Sequence, residues 1–257
     1  MMTLLRSFFV LTTFLFLSCN SSNEISKPNI VLFMVDDLGW QDTSVSFWKN
    51  ETKFNRLYNT PNMEILANMG VKFTNAYATP VCSPSRISLM TGMNAAKHRV
   101  TNWTLNPNKK KPAEINHKIF EFPDWNYNGL STLDSISNTI YATPLPQILK
   151  DNGYYTIHAG KAHLGAIGYP SSNPLNIGFD INIAGHAAGA PQSYLGVDNF
   201  GNNNSKNKIW AVPGLEKYHG KDIFLTQALS EEVLEKLQKP INSKSPFFLY
   251  FSLYNVH

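Results

Sequence analysis

The run Asn29-Ile30-Val31-Leu32-Phe33-Met34-Val35-Asp36-Asp37 decides how the rest of the chain is read. Its apolar part shows no alternation, which suits a strand covered on both faces, as in a parallel sheet. It stops abruptly at two adjacent carboxylates, followed by Leu38-Gly39-Trp40. Paired carboxylates repel each other unless a proton or cation intervenes, and a hard divalent ion such as Ca²⁺ or Mg²⁺ takes oxygen ligands of this kind. A helix-capping turn is the alternative reading of the dipeptide.

Working outward, Thr60 supplies an N-cap and Pro61 a first-turn proline for a helix ending near Gly70. Residues 71–78 read as a strand leading to Thr79-Pro80-Val81-Cys82-Ser83-Pro84-Ser85-Arg86, and a second helix starts at Ser83 or Pro84 and runs towards Gly92. Residues 103–140 lack periodicity and read as an excursion from the core. Thr143-Pro144 opens a further helix, closed by Asp151-Asn152-Gly153, and residues 154–159 are strand-like, leading to Gly160-Lys161-Ala162-His163-Leu164-Gly165. Residues 166–218 are loop-heavy. Residues 222–239 carry helical periodicity stopped by Pro240, and residues 246–253 form a buried strand shortly before His257. There is no internal repeat. Strand alternates with helix, so the fold class is α/β: a mostly parallel central sheet with helices on both faces. Ligands of such sheets bind beyond the carboxyl ends of the strands. Four strands lead there to Asp36 and Asp37, to Cys82 and Arg86, to Lys161 and His163, and to His257, which predicts one site.

The 257 residues are 43% hydrophobic and only 16% charged, so the chain can bury a large core and charge-driven disorder is excluded. A formal charge of +4 is too mild to imply nucleic acid, and the basic run Asn108-Lys109-Lys110-Lys111 reads as a solvated loop. Arg6 precedes a short apolar run from Phe8 to Leu17, which suits a signal peptide over residues 1–18. Phe16-Leu17-Ser18-Cys19 resembles a bacterial lipobox. Cys19 is then the lipidated first residue, residues 19–27 are a tether, and residues 28–257 are the folded part of an exported protein anchored to a membrane; an ordinary secretory signal with an incidental cysteine, giving a periplasmic protein, is the alternative.

Cys82 sits just before a helix start, where free N–H groups favour a thiolate or a bound anion, and Arg86 lies about one helical turn on. A loop cysteine with a surface arginine is the plain alternative. Lys161 adds a point charge, His163 and His257 proton-transfer groups. Together they make a cationic pocket beside a divalent metal, which suits hydrolysis of a sulfate or phosphate ester.

Cys82-Ser83-Pro84-Ser85-Arg86, followed by Leu89-Met90-Thr91-Gly92, resembles the C-x-P-S-R signature of type I sulfatases of the alkaline phosphatase superfamily. Residues 29–39 are similar to that family's opening strand and metal motif. Residues 160–165 resemble its G-K-x-H-x-G motif, and residues 246–257 its next strand and histidine. The resemblance implies that Cys82 is oxidised by a formylglycine-generating enzyme to formylglycine, whose hydrate carries one hydroxyl to attack sulfur and another to expel sulfate. It also implies Asp36, Asp37 and modified Cys82 as Ca²⁺ ligands, Arg86 orienting the hydrate and Lys161 stabilising sulfate charge. His163 would assist sulfate release and His257 would act near the leaving oxygen.

Sulfatases of this kind complete the metal site from sequence beyond the position of His257. The chain therefore resembles an N-terminal portion, expected to bind Ca²⁺ poorly, to turn over little ester alone and to leave its last strand without neighbours. Sulfated carbohydrates or aryl sulfates are the expected substrates. Trp40, Trp103, Trp125 and Tyr194 are candidate sugar-stacking faces, with a place in the core as the plain alternative, and His98, Arg99 and His186 in the Gly185–Gly189 stretch are candidate substrate contacts. The competing readings are a phosphonate or phosphodiester hydrolase of the same superfamily and a non-catalytic exported lipoprotein.

Overall fold

The computed structural model describes residues 27–110, 118–203, 206 and 208–257; the signal peptide, Cys19 and Lys111 lie outside the described residues. Six strands follow in chain order: β1 (Ile30–Met34), β2 (Gly129–Ser131), β3 (Thr139–Tyr141), β4 (Tyr155–Gly160), β5 (Ile181–Ile183) and β6 (Phe247–Ser252). Five α-helices accompany them: α1 (Pro61–Met69), α2 (Cys82–Thr91), α3 (Ala95–His98), α4 (Leu145–Asp151) and α5 (Leu225–Asn242). The main sheet has the order β1-β6-β4-β5 and is parallel throughout, with Met34 and Gly160 both opposite Ser252. Three carboxyl ends therefore meet at one edge.

Residues of β6 are buried on both faces, which explains its uninterrupted apolar sequence. On one face Phe247, Leu249 and Phe251 pack with Leu225, Leu229 and Val233 of α5. On the other, Phe248 and Tyr250 pack with Ile87 and Met90 of α2 and with Leu145 and Leu149 of α4. Helices thus cover both faces, as expected. Each fully buried side chain of this size contributes about 1.5–3 kcal/mol. Among the described residues no helix is long and apolar enough to cross a membrane.

Several local expectations need correction. The last strand does not lack neighbours, because β6 is threaded between β1 and β4. The edge falls instead to β1, which alternates half-buried and exposed residues; Val31 is 57% and Phe33 53% exposed. Residues 71–78 form no strand: with no ladder to join, Val71, Phe73 and Tyr77 stay exposed. Thr60 does not cap α1 with its side chain, since its Oγ1 is taken by the N–H and hydroxyl of Ser44. Pro240 does not stop α5, which absorbs one missing N–H and runs to Asn242. The excursion of residues 103–140 holds the parallel pair β2–β3, and the loop-heavy stretch holds the short edge strand β5.

Candidate active site

The peptide N–H of Asp36 donates to the Asn255 carbonyl at 2.8 Å, and its carbonyl accepts from the Val256 N–H at 2.8 Å. The turn after β6 is thereby stitched to the end of β1. The Asp36 side chain is buried and each oxygen meets a cation, Oδ1 accepting from Arg86 Nη2 at 2.8 Å and Oδ2 from the Lys161 ammonium. Asp37 follows with a left-handed backbone (φ 57°) and an exposed side chain.

Cys82 is the first residue of α2, one or two positions earlier than its sequence suggests. Val81 before it has φ 58°, a conformation that costs a β-branched residue strain and persists only when its surroundings impose it. The surroundings include Ser85, whose hydroxyl donates to the Thr79 carbonyl, and the Thr79–Ser88 hydroxyl pair at 3.0 Å. The first turn of α2 carries no acidic residue, so its positive dipole end is unopposed beside the sulfur. Lys161 Nζ donates to Cys82 Sγ at 3.1 Å while also holding Asp36. One ligand atom each from Asp36, Asp37 and Cys82 lies within 4.8 Å of the others. Two carboxylates fit a hard cation, and an oxidised, oxygen-bearing Cys82 fits it better than a soft thiol.

Arg86 is 1% exposed and is a cross-brace. Besides Asp36, its guanidinium donates to the Lys161 carbonyl at 2.8 Å, to the Tyr250 hydroxyl at 3.3 Å and to the Ser252 hydroxyl. It joins the ends of β1, β4 and β6 from α2. Gly160 makes this possible: a Cβ there would sit 1.9 Å from the Ser252 carbonyl oxygen. Burial works against the guanidinium charge, but Tyr250 and Asp36 more than offset it and raise the pKa above its ordinary value.

The two predicted site histidines differ. His163 is buried, its Nε2 is 2.8 Å from the Thr104 carbonyl, and burial, then Lys161 and Arg86, hold its pKa well below the ordinary value. His257 is half-exposed, with Nε2 3.8 Å from Asp37 Oδ2. Its turn is held by the Tyr194 hydroxyl, which lies 3.1 Å from the Tyr254 carbonyl and 3.0 Å from that of His257.

The candidate substrate contacts fare differently. His98 is fully buried, its Nδ1 accepting from the Val100 N–H at 3.0 Å and its Nε2 pairing with Ser88 Oγ at 2.9 Å, so it pins α3 to α2 rather than facing a ligand. Arg99 donates to the Asp124 carbonyl at 2.9 Å and ties down the excursion. His186 is held near pKa 4 by burial and reaches the site through its carbonyl, which accepts from the His163 N–H at 3.1 Å. The small residues around it make room for rings: a Cβ on Gly189 would lie 2.4 Å from His163 Cε1, and one on Gly185 would lie 2.5 Å from His158 Cε1. Trp125 is core, whereas Trp40 and Trp103 are exposed.

Sequence reasoning missed Tyr250, Ser252, Thr104 and Ser83. The first two were legible as polar residues two apart on one face of an apolar strand. Nothing in the sequence singles out Thr104.

A family model described as "Sulfatase" matches residues 28–257. Mouse N-acetylgalactosamine-6-sulfatase is 30% identical over 240 residues, covering 90% of this chain and 40% of that protein. A sulfatase of Formosa agariphila is 26% identical, covering 90% of this chain and 45% of its own length. The solved structure of Ps i-CgsB in complex with k-i-k-neocarrahexaose aligns with a TM-score of 0.58 and 28% identity, over 90% of this chain and 46% of that one. The chain thus spans less than half the length of these relatives. A family match of this extent takes in every strand end that contributes to the site, and the chain belongs to the sulfatase family.

Proposed function

We propose that this chain carries the nucleophile and oxyanion-binding part of a sulfate-ester hydrolase acting on sulfated carbohydrates. The observation that carries the reading is Lys161, whose ammonium bridges Cys82 Sγ and Asp36 beside Asp37. Oxidised to formylglycine and hydrated, Cys82 would supply the attacking hydroxyl and a second hydroxyl for expelling sulfate. Asp36, Asp37 and the Cys82-derived oxygen would hold Ca²⁺, which would neutralise negative charge on the bound ester. Lys161 meets a sulfate oxygen with its remaining donor, and Arg86 fixes Asp36 and the Lys161 backbone so that the charges stay in place. His257, at the exposed side of Asp37, is suited to protonating the leaving oxygen.

The carbohydrate substrate is supported by the relative named for N-acetylgalactosamine 6-sulfate and by the neocarrahexaose complex. Export and lipid attachment at Cys19 complete the reading. The test is mass spectrometry of the Cys82 peptide, with hydrolysis of an aryl sulfate and an aryl phosphonate compared with and without Ca²⁺. An aldehyde mass and metal-dependent sulfate release are expected. An unmodified thiol, or a preference for the phosphonate, would sink the proposal.

A further inference from the structure

We propose that Thr104, locked by Ser83, is a positioning residue that fixes His163 as its Nε2–H tautomer and leaves Nδ1 as the ring's proton acceptor. The sulfate-ester reading gives that acceptor its task; the ring geometry stands independently of it.

Ser83 follows Cys82 directly and is fully buried in the first turn of α2. Its Oγ accepts from the Thr104 N–H at 3.1 Å and lies 3.3 Å from Thr104 Oγ1. The Thr104 carbonyl can only accept, and it is 2.8 Å from His163 Nε2, so Nε2 carries the proton. A neutral imidazole has one N–H, so Nδ1 presents a lone pair; that atom is buried and has no partner among the described residues. Burial, with Lys161 and Arg86 beside it, lowers the His163 pKa and favours the neutral ring. Gly189 lies against the Cε1–Nδ1 edge of the ring, where no side chain would fit. A buried acceptor without a partner in a cationic site is costly unless it has work to do.

The consequence is an arrangement hung from one helix end. Cys82 opens α2, and the next residue sets the tautomer of the histidine through its hydroxyl and the N–H and carbonyl of Thr104. In the proposed reaction Nδ1 takes the proton of the second hydrate hydroxyl; the carbonyl reforms, the bond to the sulfate oxygen breaks and sulfate leaves with its electron pair.

The experiment is ring-nitrogen NMR of the histidine-labelled chain at neutral pH, with the His163 signals assigned by their loss in His163→Gln. A protonated, pyrrole-type Nε2 and an unprotonated, pyridine-type Nδ1 are expected. Ser83→Ala, which removes the acceptor of the Thr104 N–H, is expected to lose this separation towards an averaged pattern. Thr104→Val keeps both the carbonyl and that N–H and is expected to retain it. A pyrrole-type Nδ1 in the unmodified sequence, or a wild-type spectrum from Ser83→Ala, would overturn the inference. A chain with the expected tautomer that hydrolyses no sulfate ester would instead refute the proposed function and leave the positioning role standing.

Discussion

Replacing Arg86 with methionine tests the cross-brace at the strand ends. The guanidinium is 1% exposed and its partners are Asp36, the Lys161 carbonyl, Tyr250 and Ser252. Methionine fills similar volume, so the loss is polar rather than a cavity. Removing one partner of a buried ion pair costs about 3–5 kcal/mol, because the other charge is left without compensation. Asp36 keeps Lys161 as a second cation, which favours the lower end of that range. For a folded unit of this size, each kcal/mol moves Tm by roughly 2–4 °C. The expected fall is therefore about 6–12 °C, read by calorimetry or near-UV circular dichroism. The companion variant Asp36→Asn leaves two buried cations facing a neutral amide, and the double variant should be less destabilised than the sum of the singles by about 0.5–3 kcal/mol. A Tm within about 2 °C of wild type for Arg86→Met, or strict additivity, would show that the guanidinium is hydrated and braces nothing.

Gly189→Ala pushes a Cβ to 2.4 Å from His163 Cε1, and overpacking of this kind costs about 1–3 kcal/mol; denaturant unfolding should show it, whereas Gly168→Ala, with nothing within 4 Å, should show only the strain of its positive φ. Stability should fall on acidification. His158 and His186, both held low by burial, sit near 3 and near 4 against an ordinary 6.5, so below about pH 6.5 the unfolded chain takes up protons that the folded chain refuses. Their contribution is present above that pH and is lost progressively as pH falls towards the folded values, at about 1.4 kcal/mol per pH unit for each fully engaged ring. A flat stability profile between pH 6.5 and 4 would contradict the buried neutral state. Cys19→Ala should abolish incorporation of labelled fatty acid into the full chain, and retained label would remove the anchor from the reading.

The sheet was legible because residues 30–34 and 247–252 are almost wholly apolar, while residues 155–160 lie between Gly153 and the charged Lys161, so composition and punctuation agreed. The sequence could not say that β6 enters between β1 and β4, since strand order depends on long-range packing rather than local pattern. For the same reason β1 was read as doubly covered when one of its faces is open. At the site, Asp36, Cys82 and Lys161 stood out because charged or nucleophilic groups follow apolar strands or open a helix. Thr104 did not, because its contribution is a backbone carbonyl, which every residue possesses. His98 misled in the opposite direction. A histidine beside an arginine looks like a ligand contact, and only its two internal partners reveal a structural pin.

The central position of β6 also bears on timing. Arg86 and its partner Ser252 are 166 residues apart, and the sheet cannot close around Cys82 until that late strand has been made. At synthesis rates of about 5–20 residues per second, the first turn of α2 stays open for roughly 10–30 s on a growing chain. An oxidising maturation enzyme would meet Cys82 in that interval as an accessible, unburied thiol. Once β6 docks, Arg86, Lys161 and Asp36 close behind it. On the proposed reading, strand order would thus act as a clock, separating the period in which Cys82 can be modified from the period in which the closed site can use it.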